Sequence, residues 1–194
     1  MGMESKRTAA VSDERRSSEH RESSRKGEEE MTISKITEVR QYLTFKLNEE
    51  IFALDVGSVR EILDYTNITK VPQTPEFMKG VINLRGSVVP VVDMRLKFNM
   101  PAQERTVDSC IIVVEITIDN EQTVLGALVD SVQEVFEMEP AQIEPAPRIG
   151  TKLNTDFILG MGKRDDHFVI ILDIDKVFSL EEMNIVSAMK GEAA

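Results

Sequence analysis

The feature that most constrains this chain is an internal repeat. Val56, Ser58, Val59, Glu61 and Ile62 recur 73 residues later as Val129, Ser131, Val132, Glu134 and Val135. Phe77, Gly80, Asp93 and Phe98 recur 80 residues later as Phe157, Gly160, Asp173 and Phe178, and Asn48-Glu49-Glu50 is echoed by Asn120-Glu121-Gln122. The offset grows by seven between the two blocks, near Pro145 to Thr155. A loop insertion there is cheap, because closure entropy rises only logarithmically with length. Two copies of about 70 residues therefore account for the folded chain. Each copy carries roughly five short strands, enough to close a small barrel and remove the open sheet edges on which chains aggregate. The expected fold is all-β: two five-stranded β-barrel subdomains packed side by side, with short helices and a C-terminal helix.

The strand signals are local. Leu43, Phe45 and Leu47 alternate with Thr44 and Lys46, the period of two of a half-buried strand, and Asn48-Glu49-Glu50 leads into the apolar run Ile51 to Val56. Val81 to Leu84, then Arg85-Gly86, then Ser87 to Val92 predict a second hairpin, with Gly86 able to take a positive φ. Pro90 has no N–H to donate and is expected at a strand edge or bulge. Cys110 to Ile118, Thr123 to Asp130 and Phe168 to Leu172 add β-branched runs, separated by Asp119 to Gln122 and by Gly162 to Asp166. Helix is predicted at Pro75 to Lys79, at Asp93 to Phe98 and from Asp173 to about Met189, where Leu180, Met183 and Val186 fall at helical spacing.

Composition narrows the function. With 34 acidic against 23 basic side chains the net charge is minus 11, which offers little to a polyphosphate, so neither nucleic acid nor an anionic membrane is an expected partner. Residues 1–30 hold 7 basic and 8 acidic side chains, with Met1, Met3 and Val11 as their only large aliphatics. Such a stretch cannot bury enough apolar surface to offset its ordering entropy. Residues 1–35 therefore read as a disordered charged tail, 36–185 as the folded domain and 186–194 as a C-terminal tail. No apolar run approaches the roughly 20 residues of a membrane-spanning helix, and residues 1–30 show no secretory h-region, so a cytoplasmic location is expected. The single cysteine, Cys110, agrees with that compartment.

No constellation of side chains suggests catalysis. His20 and His167 have no second imidazole at ligand spacing, and Cys110 opens the run Ile111 to Val114 as a small buried hydrophobe would. Glycine-rich nucleotide loops and nucleophile elbows are missing, and the carboxylates are scattered. The reading is therefore not an enzyme, with no catalytic, cofactor or metal site. Surface recognition remains. Arg85, in Asn83-Leu84-Arg85-Gly86, sits at the apex of a predicted hairpin between apolar strands, where a guanidinium can form a forked bond to a carboxylate. That carboxylate lies either inside this protein or on a partner, and the pattern favours neither. The repeat-mate region, Gly162-Lys163-Arg164-Asp165, reads as simply polar.

The run Phe77-Met78-Lys79-Gly80-Val81-Ile82-Asn83-Leu84-Arg85-Gly86, followed by Val88-Val89-Pro90-Val91-Val92-Asp93-Met94-Arg95, closely resembles the signature of the CheW family of bacterial chemotaxis coupling proteins. Tyr42 to Leu63, Val124 to Val135, Pro145-Ala146-Pro147 and Leu172-Asp173-Ile174 extend the likeness over about residues 41–185. The resemblance implies two five-stranded barrels around a hydrophobic groove and no catalytic activity. It also implies a scaffold that bridges the cytoplasmic tip of methyl-accepting chemoreceptors to the regulatory domain of the histidine kinase CheA, recruited to membrane receptor arrays through those partners. By motif, Val59, Glu61, Asn83 and Arg85 are assigned to partner binding or to the polar contact that shapes it. Gly80 lets the backbone approach closely, while Gly126, Val129 and Val132 take the second-barrel side of the groove. The charged tail is the main departure from the family. A reading of another class is a free-standing barrel module that binds a small ligand in its inter-barrel groove and acts outside chemotaxis.

Overall fold

The computed structural model describes residues 36, 38–118, 120–146, 156–179, 181, 182, 184, 185 and 188. The chain divides into two units, residues 1–38 and 39–194, and the second is the subject here. The tail at 1–35, residues 147–155 of the loop insertion inferred near Pro145 to Thr155 and most of 186–194 lie outside the described residues.

The strands are β1 (Arg40–Leu47), β2 (Glu50–Asp55), β3 (Val59–Asp64), β4 (Met78–Leu84), β5 (Ser87–Asp93), β6 (Cys110–Ile118), β7 (Glu121–Val129), β8 (Ser131–Met138), β9 (Ile143–Glu144), β10 (Ile158–Arg164) and β11 (His167–Leu172). Two one-turn helices follow the last strand of each repeat, α1 (Met94–Lys97) and α2 (Ile174–Val177). Both predicted hairpins are present. The β1–β2 turn puts Asn48 at φ +59, and the β4–β5 turn puts Arg85 at +52 and Gly86 at +87. Two successive positive φ values match the right-handed twist of the flanking strands.

These strands form two sheets, of order β8-β1-β2-β11-β10-β9 and β3-β6-β7-β5-β4. The repeat maps β1 to β5 onto β6, β7, β8, β10 and β11, so both sheets have the same order of equivalent strands. Neither sheet, however, is built from one copy. The first two strands of each copy are hydrogen-bonded into the sheet that holds the last strands of the other. Each sheet is joined across the copies twice: by an antiparallel ladder, β1–β8 or β3–β6, and by a parallel one, with Ile170 opposite Phe52 in one sheet and Val91 opposite Gly126 in the other. The expectation that each copy forms its own subdomain is corrected accordingly. The crossings are abrupt. Between β2 and β3 the 3-10 turn Val56–Ser58 is held by Asp55, which accepts from the Gly57 N–H at 2.8 Å. Between β7 and β8 there is only Asp130.

One sheet has six strands rather than five, because β9 pairs with β10 through Ile143 and Glu144. In the other sheet that strand is reduced to the bridge between Thr69 and Val81. Among the described residues no ladder joins the first and last strands of either order, so hydrogen bonds close neither sheet.

The core lies mainly between the sheets. Phe45, Leu47, Phe52 and Leu54 from one sheet meet Ile112, Val114, Ile116, Leu125 and Val129 from the other. Stacked rings Phe45, Phe52, Phe98 and Phe157 run through it at centroid spacings of 5.8, 5.6 and 5.2 Å. A second cluster, Ile82, Val89, Val91 and Ile111 with Leu63, Leu84, Val124 and Leu128 packed on it, draws on all five strands of the second sheet.

Four local expectations are corrected. Pro75 to Lys79 is a turn, closed by the Met78 N–H donating to the Pro75 carbonyl at 2.9 Å, and β4 starts at Met78. Gly162 to Arg164 belong to β10; Gly162 is there for space, since a Cβ would lie 2.5 Å from the Met138 methyl. Pro90 lies inside β5, one residue before its ladder to β7 begins at Val91, so the missing donor interrupts nothing on that side. The helix after Asp173 also breaks, because Phe178 takes extended φ and ψ of −110° and 137°.

Candidate protein-interaction site

The β4–β5 hairpin positions the residue that the sequence singles out. Asn83 Oδ1 accepts from the Gly86 N–H at 2.9 Å and fixes the turn. Arg85 then projects from the tip with its side chain 81% exposed, yet its Nη2 reaches Glu61 Oε2 on β3 at 3.0 Å, where the carboxylate is 24% exposed. The carboxylate left open by the sequence thus has an internal occupant. A pair this exposed contributes at most about 1 kcal/mol to stability, so the guanidinium keeps most of its hydrogen-bonding capacity for other groups. β3 and β4 are the two ends of their sheet's strand order, and the Glu61–Arg85 pair ties them.

Gly80 stands behind this hairpin with φ +137, and a Cβ there would lie 2.0 Å from the Thr69 carbonyl oxygen. The close approach permits the reciprocal Thr69–Val81 backbone bonds of 2.9 and 2.8 Å that cover the outer edge of β4. Val59 and Val132 are half-buried and packed against the main core. Gly126 is buried in β7 with a Cβ position 2.7 Å from Ile111 Cγ2, and Val129 is 2% exposed. The structure therefore brings Glu61, Asn83 and Arg85 together at one tip, with Gly80 beneath it, and keeps Gly126 and Val129 in the interior. Of the residues assigned to the groove, Val129 belongs to the main core and Val59 and Val132 pack against it. Among the described residues the large apolar side chains left exposed are Val39, Ile62, Val107, Val135 and Phe168. Ile62 and Val135 occupy equivalent repeat positions on β3 and β8, each at an end of its sheet.

Two arrangements were not read from the sequence. Arg164 Nη1 pairs with Glu134 Oε1 at 2.8 Å, and its guanidinium carbon lies 4.6 Å from the Phe136 ring centroid. This is the second-copy counterpart of Glu61–Arg85. Glu134 was legible as the mate of Glu61, but the arginine is shifted by one residue from the position equivalent to Arg85, which Asp165 occupies at φ +50. The second arrangement is a polar hub at Asp130. It accepts from Arg95 Nε at 2.6 Å and from the Asn48 N–H at 2.6 Å, joining α1 and the β1–β2 turn to the β7–β8 crossing. Burial holds the Cys110 thiol above its ordinary pKa, against a hydrogen bond from Val132, so it stays protonated. Among the described residues no three His, Cys, Asp or Glu side chains converge as metal ligands.

The class defined here is a duplicated, strand-exchanged β module with an arginine–glutamate pair at the tip of one hairpin in each sheet. Residues 41–182 match the CheW-like domain, and the chain belongs to that family. It is 36% identical over 158 residues to the chemotaxis protein CheW of Klebsiella aerogenes, spanning 80% of this chain and 93% of that protein. Identity to the chemotaxis protein CheW of Rhizobium meliloti is 33% over 143 residues, spanning 74% of this chain and 90% of the relative. The crystal structure of the scaffolding protein TtCheW from Thermoanaerobacter tengcongensis matches with a TM-score of 0.65 at 37% identity, covering 74% of this chain and 94% of that one.

Proposed function

We propose that this chain is a non-catalytic chemotaxis adaptor that couples methyl-accepting chemoreceptors to the histidine kinase CheA. The observation that carries the reading is the family match across 41–182 together with an exposed, paired arginine at the tip that the family signature surrounds. Arg85 and Glu61 are the direct contacts in this proposal. Asn83 and Gly80 set the hairpin that presents them, and Val59, Gly126, Val129 and Val132 shape the sheet behind. Arg85 can exchange its internal carboxylate for one on a partner at little cost, because the internal pair is solvent-exposed. Coupling then requires only that the adaptor bind the signalling states of a receptor with different free energies, typically 1 to 3 kcal/mol.

The finer architecture proposed is that each sheet curls toward a barrel. The Glu61–Arg85 pair joins the ends of one strand order, and the cluster around Ile82 and Ile111 gathers side chains from all five strands of that sheet. Among the described residues no helix is long and apolar enough to cross a membrane. The proposed location is the cytoplasm, at receptor arrays reached through partners. The ligand-binding alternative asks for an open inter-barrel groove, and it is disfavoured by the burial of Val129 and Gly126, two of the residues assigned to that groove.

Titration of the full chain with a labelled receptor tip fragment, and separately with the kinase regulatory domain, tests the reading. The wild type should bind both. Arg85→Asn, which suits the positive φ of the turn, should bind at least one partner tenfold more weakly at unchanged stability. Wild-type binding to neither partner ends the adaptor reading; undiminished binding of both by the variant ends the assignment of Arg85.

A further inference from the structure

Lys97 closes α1 with its side chain only 14% exposed. Three groups hold its ammonium: Glu182 Oε1 at 2.6 Å, and the Phe77 and Phe178 rings with centroids at 5.0 and 5.3 Å. A desolvated ammonium between two aromatic faces and a carboxylate is a strongly selective environment for negative charge. The carboxylate comes from a short, self-capped piece of chain. The Ser179 N–H donates to Glu182 Oε2 at 2.7 Å and the Glu182 N–H donates back to Ser179 Oγ at 3.3 Å, a reciprocal helix-start motif. Residues 181, 182, 184 and 185 are helical, and Ile185 packs on the main core.

This contact has no equivalent in the other repeat, where Val177 stands for Lys97 and Ala102 for Glu182. Phe77 and Phe178, by contrast, are repeat positions, with Phe157 and Phe98 stacked as their mates. The seat thus belongs to the duplicated fold, and the segment upon it is an addition. Burial alone would raise the Glu182 carboxyl, but Lys97 and Ser179 hold it below its ordinary value, so the docked side chain is an anion at neutral pH.

We infer that Phe77, Lys97 and Phe178 form a seat for the acidic first turn of an amphipathic helix, and that the chain's own Ser179-to-Ile185 segment fills it in cis. A partner helix with the same chemistry, a carboxylate followed three residues on by an aliphatic side chain, displaces that segment. Tethering gives the cis segment an effective concentration on the order of millimolar, so it screens out weak competitors. The inference does not depend on which signalling partners the adaptor serves.

The probe is a fluorescein-labelled synthetic peptide with the sequence of residues 178–190, titrated into the full chain. The wild type should bind it weakly. Glu182→Lys, which repels the cis segment from Lys97, should bind at least tenfold more tightly, and adding Lys97→Met should restore weak binding. In wild-type protein, amide hydrogens at 181–185 should exchange at least tenfold faster than those of β6. Equal peptide affinity in wild type and Glu182→Lys overturns the inference, and so does wild-type exchange at 181–185 as slow as in β6. Should the substituted chain fail to fold by circular dichroism, the wild-type exchange comparison decides alone.

Discussion

A methyl group on Gly80 would meet the Thr69 carbonyl oxygen at 2.0 Å, whereas one on Gly86 would meet nothing within 4 Å. Both residues have positive φ, so alanine is strained at either, but only Gly80 adds a backbone collision. Gly80→Ala should therefore lower unfolding free energy by about 2–4 kcal/mol and Gly86→Ala by about 1 kcal/mol, as read from urea melts. Equal losses would remove the close-approach argument. At this scale the sequence was informative where chemistry is local: Asn83, Arg85 and Gly86 are a turn by residue type, and the turn is there. The partner of Arg85 was not legible, because Glu61 lies on a different strand and pairing across a sheet's two ends depends on curvature. Arg164 was passed over as polar because one residue of shift in the second hairpin hides its equivalence.

Elements show how equivalent positions can differ in what they do. Asp93 and Asp173 both precede a one-turn helix, and each donates its N–H to the carbonyl of a repeat-equivalent phenylalanine, Phe77 or Phe157, at 2.8 Å. Asp93 also accepts from the Arg95 N–H at 3.0 Å and the Leu96 N–H at 3.3 Å, and meets Lys79 at 3.1 Å. The Asp173 side chain makes no capping bond among the described residues and meets Lys176 at 3.4 Å. Asp93→Ala should cost about 1–2 kcal/mol and Asp173→Ala about 0.5 kcal/mol or less, measured by calorimetry on the full chain. A larger loss at Asp173 would contradict the capping account. Hairpins and β-branched runs were readable as elements, since period-two alternation and turn residues act over a few positions. β3 and β8 were not, because Arg60, Glu61 and Asp64, or Gln133, Glu134 and Glu137, interrupt the apolar pattern; strands at the ends of sheets tolerate such charge. β10 was obscured by Gly162 to Arg164, which read as loop; Gly160 and Gly162 within it make room for the Glu144 carbonyl and the Met138 side chain packed against them.

For the whole molecule, the repeat was plain in the residues but its connectivity was not. Equivalence says which strands correspond; it does not say whether a strand pairs within its own copy. The pairing follows from the tight crossings at Val56–Ser58 and Asp130, which send the chain into the other sheet. With both copies represented in each sheet, and the main core shared between the sheets, loss of either sheet removes half of that core from the other. Thermal or urea unfolding should then be a single transition. Tryptophan reporters at Phe136, on β8 in one sheet, and at Tyr65, beside the end of β3 in the other, should give coincident midpoints, since the chain has no native tryptophan. Separate midpoints would show that the sheets melt apart.

Descent is constrained by the same lacing. A module whose halves were self-contained could be shuffled, with one half traded for that of a distant cousin. Here every such graft would have to match foreign strands at four seams at once, two parallel and two antiparallel, so the two halves of the gene are bound to be inherited, and to drift, as a couple.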